Sequence, residues 1–242
     1  MLIYCGNRTQ QIATIAGSAT TTNYGYNAAN QMTSAGAATL TYDNNGNLTN
    51  DGTTAYTWDR ANRMLSAGGT SYGYDGAGNR SRQAVSGVVT QYLLDLQPGL
   101  VQVIAATTGA NTDRYVHAPR GIHAMENTSG AWSYAMQDGL GNVRLETSSA
   151  AGVLGSRNYE PFLTPFGVVG AFGMPFAATG EPTDSNGLVH LRARNYAPSM
   201  GVFTALDPFE GQPCSPMSLN GYMYVEGSVV NNVDPSGGLP PV

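Results

Sequence analysis

Large apolar side chains recur on a fixed beat through the first third of the chain. Tyr26, Tyr42, Trp58 and Tyr74 stand 16 residues apart, and two positions before each come Tyr24, Leu40, Tyr56 and Tyr72. Residues i and i+2 of a strand point to the same side, so each pair predicts a strand with one buried face. The position after each pair holds Asn27, Asp43, Asp59 or Asp75. Three residues further on stand Asn30, Gly46, Asn62 and Gly78, followed by Gln31, Asn47, Arg63 and Asn79. An Asx side chain can bond the backbone of the turn it opens, and Gly or Asn tolerates a left-handed exit. Four copies in phase therefore predict a repeated strand, tight turn and return. One copy alone buries too little to offset the entropy of ordering it. Copies must stack, share an apolar face and pair backbones with one another, as in a spiral sheet.

From about residue 92 the beat is lost, but β patterning persists. The stretch 92–119 alternates and carries turn signals at Pro98-Gly99 and at Thr108-Gly109. Residues 138–162, "DGLGNVRLETSSAAGVLGSRNYEPF", predict two strands around a Ser/Ala/Gly turn. In 179–209, "DSNG" predicts a turn, "LVHLRARNY" one alternating strand, and "PSMG" a second turn. "SLNGYMYVEGSVVNNVDPSGG", 218–238, predicts a strand followed by an Asn/Asp/Pro/Gly loop. No segment shows a helical apolar period over a useful length, and a short helical turn near 215–232 is left open.

Composition narrows the function. Charged residues make up 11% of the 242, where about a quarter is usual. All basic residues are Arg, and the net charge of −5 argues against a nucleic-acid footprint. No apolar run approaches the roughly 18 residues of a membrane span, and "MLIYCGNRTQ" lacks the apolar core of a signal peptide. Cys5 and Cys214 lie at opposite ends; two buried free thiols are expected, with a single disulfide as the alternative. An open sheet edge without Lys invites pairing, and "GNRTQQ" at 6–11 echoes "GNRSRQ" at 78–83. Both suggest that further repeats precede this chain.

The motifs "TGEPTDSNGLVHLRARNYAPSMGVFTALDPF" and "SLNGYMYVEGSVVNNVDPSGG" resemble the RHS repeat-associated core, and the 16-residue copies resemble the RHS or YD repeats that precede it. "LLDLQPGLVQV" and "DGLGNVRLETSSAAG" are similar to segments just before that core. The resemblance implies an all-β fold: YD repeats over 1–90 wind a spiral sheet that forms part of a hollow, cocoon-like shell, and a core-like region over 91–242 closes one end. It also implies secretion or cell-surface display, and enclosure of a C-terminal toxin-type polypeptide. Adhesion is the role of surface relatives. Partners expected on this basis are that cargo and further upstream repeats, with no cofactor or metal.

In toxin members of the family the core is an aspartyl self-protease that cuts after a DPxGL-type motif. Asp207, in "LDPFEG", matches its first catalytic Asp. Here Leu206 replaces the Arg before it, and Met223, between Tyr222 and Tyr224, replaces the second Asp. Asp234, in "DPSGGL", belongs to a stretched cleavage motif ending at Leu239, with Pro240 to Val242 after it. Two carboxylates sharing a proton could activate water, but Asp207 without a partner is expected to cap a loop, as is Asp234. Self-cleavage is thus expected to be weak or lost, and the chain is expected to be a shell piece without encoded cargo. A self-cleaving peptidase and a glycan-binding surface using the aromatic ladder are the alternatives.

Other signals point to structure. "GTSYG" at 69–73 falls inside a repeat strand, so Ser71 is not a nucleophile at an elbow. His117, His123 and His190 lack metal-ligand spacing. "DNNGN" at 43–47 has one carboxylate and is read as a turn. Arg192 and Arg194, two apart, are expected to share a strand face and to pair with acids.

Overall fold

The computed structural model describes residues 6–15, 17–97, 99–119 and 121–238; Cys5, Pro98 and Leu239 lie outside them. The strands up to residue 170 follow one another as an antiparallel meander. Gln10–Ile15, Ser18–Tyr26, Met32–Ala35 and Ala38–Thr39 pair in chain order, and Thr41–Tyr42 pairs with Leu48–Asn50. Twelve strands, from Tyr56–Trp58 to Pro165–Gly170, then form one sheet, again in chain order. An Asn50–Ala55 bridge joins the small pair to it. Tight turns leave each strand no place but beside its predecessor. The sheet passes residues 90–91 without a break, with Gln91 opposite Arg82. The change there is one of sequence phase, within a continuous wall.

The turns follow the predicted chemistry. Asp43 Oδ1 accepts the N–H groups of Asn45 and Asn47, each at 2.9 Å. Asp59 does the same for Ala61 and Arg63, and Asp75 for Ala77 and Asn79. The exit residues Asn30, Gly46, Asn62 and Gly78 all take positive φ, from 59° to 89°. The same turn recurs off the beat at Asn127 and Asp138, with Gly130 and Gly141 at the left-handed position.

The aromatic ladder has a third rail. Met32, Leu48 and Met64, also 16 apart, are each 1% exposed. Their carbonyls accept hydrogen bonds from Tyr42 Oη (3.2 Å), Trp58 Nε1 (2.7 Å) and Tyr74 Oη (2.8 Å). Each ring thus packs with its neighbours while its polar tip ties one copy to the copy before it. Tyr24, Leu40, Tyr56 and Tyr72 are buried in the same core.

After Gly170 the chain turns back. Val189–Leu191, Arg194–Ala197 and Val202–Phe203 form a three-stranded sheet. Leu188, Ala197, Met200, Val202 and Tyr222 complete the core of the ladder itself. Tyr222 Oη donates to Gly46 O at 2.8 Å, and its ring meets Tyr42 edge-on. Arg80, next on the beat after Met64, is a charge: it pairs with Asp184 at 2.7 Å, both side chains 3% exposed.

Three expectations need correction. "LVHLRARNY" is two strands, because Arg192 takes a left-handed φ of 55° and turns the chain. The turn forms because the 192–193 region bonds elsewhere: Arg192 Nη1 to Pro235 O, and Ala193 N to Ser236 O. "SLNGYMYVEG" is no strand; Met223 makes one bridge to Val202 between two 3-10 turns, Pro216–Leu219 and Tyr224–Gly227. Cys214 is exposed, not buried, since it sits in the tight Gln212–Ser215 surface turn.

Burial raises the ladder phenols: Tyr26 and Tyr74 are pushed up to about 12, and Tyr24, Tyr42, Tyr56 and Tyr72 are also raised. A pKa raised by folding adds stability that is complete below the unfolded value near 10 and is lost as pH rises through the folded value. Alkaline titration should therefore show phenolate absorbance from these rings appearing together with loss of β circular dichroism above about pH 10. Smooth phenolate formation near pH 10 with the fold intact would show the ladder to be solvated.

Candidate functional site

The residues singled out in the sequence converge where the returning hairpin meets the C-terminal segment. Arg194 opens the strand Arg194–Ala197, and its side chain is 3% exposed. Its guanidinium lies over the Phe203 ring, 3.6 Å from the centroid. Nη1 donates to Gly221 O at 2.8 Å, and Nε donates to Gly237 O. Nη2 meets Asp207 Oδ2 at 2.5 Å and Asp234 Oδ2 at 3.9 Å. Planar, always multiply donating Arg suits such a fork; Lys could not satisfy it.

The carboxylates also cap loops, as expected. Asp207 Oδ1 accepts Phe209 N at 2.8 Å. Asp234 Oδ1 accepts Gly237 N and Ser236 Oγ, which curls residues 234–237 against the 192–194 turn. Asp207 therefore does have a carboxylate neighbour, contrary to the reading that left it alone; the two share Arg194. Burial pushes the Asp207 carboxyl up, and Arg194 and the Phe209 N–H pull it back. Burial lowers Arg194 to about 10. A cavity of about 30 Å³, enough for one water, is lined by both carboxylates and by Met223.

Arg192 serves a different acid. It pairs with Glu181 at 2.9 Å and donates to Val101 O, so the two arginines do not share a strand face but do both find acids. Tyr56 and Tyr72 are buried, which removes the ladder as a sugar-stacking platform. Ser71 lies mid-strand, opposite Ser66 and Ala84. Asp43 spends its carboxylate on its own turn. Among the described residues, no group of three or more His, Cys, Asp or Glu is placed to hold a metal.

Sequence reasoning missed the Arg80–Asp184 pair, although its signal was present: a charge on a beat otherwise occupied by Met32, Leu48 and Met64 needs a buried partner. It also missed Glu146, 1% exposed, which accepts Gly173 N and Met174 N and fixes the point where the chain turns back.

The teneurin YD-shell family profile matches residues 5–113. The tRNA3(Ser)-specific nuclease WapA of Bacillus spizizenii is 30% identical over 96% of this chain, which covers 10% of that protein. The tRNA nuclease WapA of Bacillus subtilis strain 168 is 29% identical, with the same coverage. The chain thus spans about a tenth of the length of these relatives. Among solved structures, TcdB2-TccC3 aligns with a TM-score of 0.64 at 17% identity, over 90% of this chain and 14% of that one. The Photorhabdus luminescens Tc holotoxin pore aligns with a TM-score of 0.62 at 17% identity, over 91% and 13%. These structures share the fold.

Replacing Arg194 with Met should cost about 3–5 kcal/mol at neutral pH, because it orphans two carboxylates, one of them fully buried. The deficit should shrink as pH falls, since the Asp207 carboxyl, pushed up by burial, then takes up a proton. Urea unfolding at several pH values reads both effects; wild-type stability at neutral pH would contradict the assignment.

Proposed function

We propose, from the premise that this chain is an RHS/YD-shell protein, that it supplies wall and closure around a C-terminal polypeptide outside the cell. The repeats over 1–90 make wall, and 91–242 continue the wall and then close it. The carrying observation is the grip on residues 234–238: Arg192, Ala193 and Arg194 hold the carbonyls of Pro235, Ser236 and Gly237 on the side of the sheet to which the chain has returned. A polypeptide continuing beyond Gly238 would leave from this gripped segment, beside the closing hairpin. The matched relatives are named as tRNA nucleases. With a net charge of −5, this stretch suits enclosure better than contact with RNA.

Self-cleavage is weak or lost in this reading. A proton-sharing dyad needs its carboxylates in contact, and here a guanidinium bridges them and Met223 lines the cavity beside them. One observation favours the opposite reading, an aspartyl peptidase: the water-sized cavity lined by both Asp207 and Asp234.

A reporter fused after Val242, carrying a photo-crosslinker in its first residues, tests both points. The fusion should stay intact and crosslink to the face bearing Leu94 and Val103, which line an internal cavity. Crosslinks to the face bearing Leu93 and Trp132, both exposed, would contradict enclosure. Prompt splitting that stops in Asp207→Asn would establish the peptidase.

A further inference from the structure

A second cavity, of about 220 Å³, lies between the wall and the returning chain. Its apolar lining comes from Leu94, Val101 and Val103 on the wall and from Phe176 and Pro182 opposite. Four charged or titratable groups set its chemistry, besides Glu181. Arg80 is spent on Asp184, and Arg192 on Glu181, Val101 O and Pro235 O. No cation on this lining is left to hold an anion.

The two histidines differ. His117 Nε2 lies 2.8 Å from Val103 O. A carbonyl only accepts, so Nε2 carries the proton and Nδ1 presents a lone pair. His190 Nδ1 lies 3.3 Å from Asn195 Oδ1, while Asn195 Nδ2 points at Met64 Sδ, which fixes the amide orientation. His190 Nδ1 therefore carries the proton, and Nε2 is bare. Burial holds both imidazoles below their ordinary range, hence neutral. Neither His117 Nδ1 nor His190 Nε2 has a hydrogen-bond partner among the described residues.

The cavity thus offers two bare imidazole acceptors beside its apolar patch, with Asn79, Gln102 and the Arg192–Glu181 pair on the rest of the lining. A cationic guest would meet Arg80 and Arg192. A metal lacks a third ligand among the described residues. A dry cavity of about 150 Å³ holds benzene, so this one has room for a ring with a substituent. We propose that it binds a neutral aromatic ring bearing one hydrogen-bond donor, of the phenol or indole class, with the donor on His190 Nε2 or His117 Nδ1. Such a ring comes either from a free small molecule or from a tyrosine or tryptophan side chain. The lining residues Arg192 and Ala193 also hold Pro235 O and Ser236 O, so a peptide side chain is within reach.

NMR titration of the intact chain with p-cresol, toluene and N-acetyltyrosinamide tests this. p-Cresol should bind saturably, shifting Val103 and His190 resonances, and should bind about three- to tenfold more tightly than toluene, the worth of one hydrogen bond. His190→Leu should reduce that preference, and Val103→Trp, which fills the cavity, should remove binding of both. Competition by N-acetyltyrosinamide assigns the site to side chains; p-cresol binding without that competition assigns it to free phenols. A titration that does not saturate, or toluene binding as tightly as p-cresol to the wild-type chain, overturns the proposal. None of these outcomes depends on where a fused polypeptide lies.

Discussion

Three successive copies place Met32, Leu48 and Met64 at one buried position, and the fourth places Arg80 there. A guanidinium in that environment is tolerable only beside a carboxylate, and the carboxylate comes from Asp184, in the turn that opens the closing hairpin. Burial opposes the Arg80 charge, and Asp184 together with Tyr92 and Tyr72 more than restores it, so the net effect is a raised pKa. The wall therefore carries, at the end of its repeats, a charge that is stable only when the returning chain is docked. Apolar contacts alone would tolerate several registers of docking; one buried ion pair discriminates among them. Around it, Asn186 Nδ2 donates to Tyr72 Oη, and Asn195 to Met64 Sδ. The closing region thus completes the core of the ladder and belongs to the same folding unit.

Much of the wall was legible in the sequence because its determinants are local. Asp43, Asp59 and Asp75 bond their own turns, and Gly46 and Gly78 sit where φ must be positive. A period set by turn chemistry and alternation can be counted from residues alone. The closing region resisted because its determinants are distant. Arg192 breaks an apparently continuous strand to bond Pro235, 43 residues away, and Arg194 takes its partners from three separate loops. No short-range pattern carries that information. The convergence of Asp207 and Asp234 was obscured in the same way: each reads locally as a loop cap, and each is one, while the arginine they share adds a second role.

The chemistry of the closure follows from what these groups are already doing. Arg194 and Asp207 are committed to each other, and Asp234 to the curl of its own segment. On the proposed reading, groups so engaged serve as a clamp rather than as acid–base catalysts, since catalysis needs a proton that moves. The larger cavity is the converse: its arginines are satisfied, yet two imidazole nitrogens have no hydrogen-bond partner among the described residues. On the binding proposed for this recess, unmet acceptors select a guest by what it must donate.

The claim that wall and closure fold as one unit through the Arg80–Asp184 pair is tested most directly by native-state hydrogen exchange on Asp184→Asn. The account predicts that amides of the repeat strand Thr70–Tyr74 and of the closing strand Arg194–Ala197 lose protection together and by similar free energies. Loss confined to the closing strand, with Thr70–Tyr74 as protected as before, would contradict it.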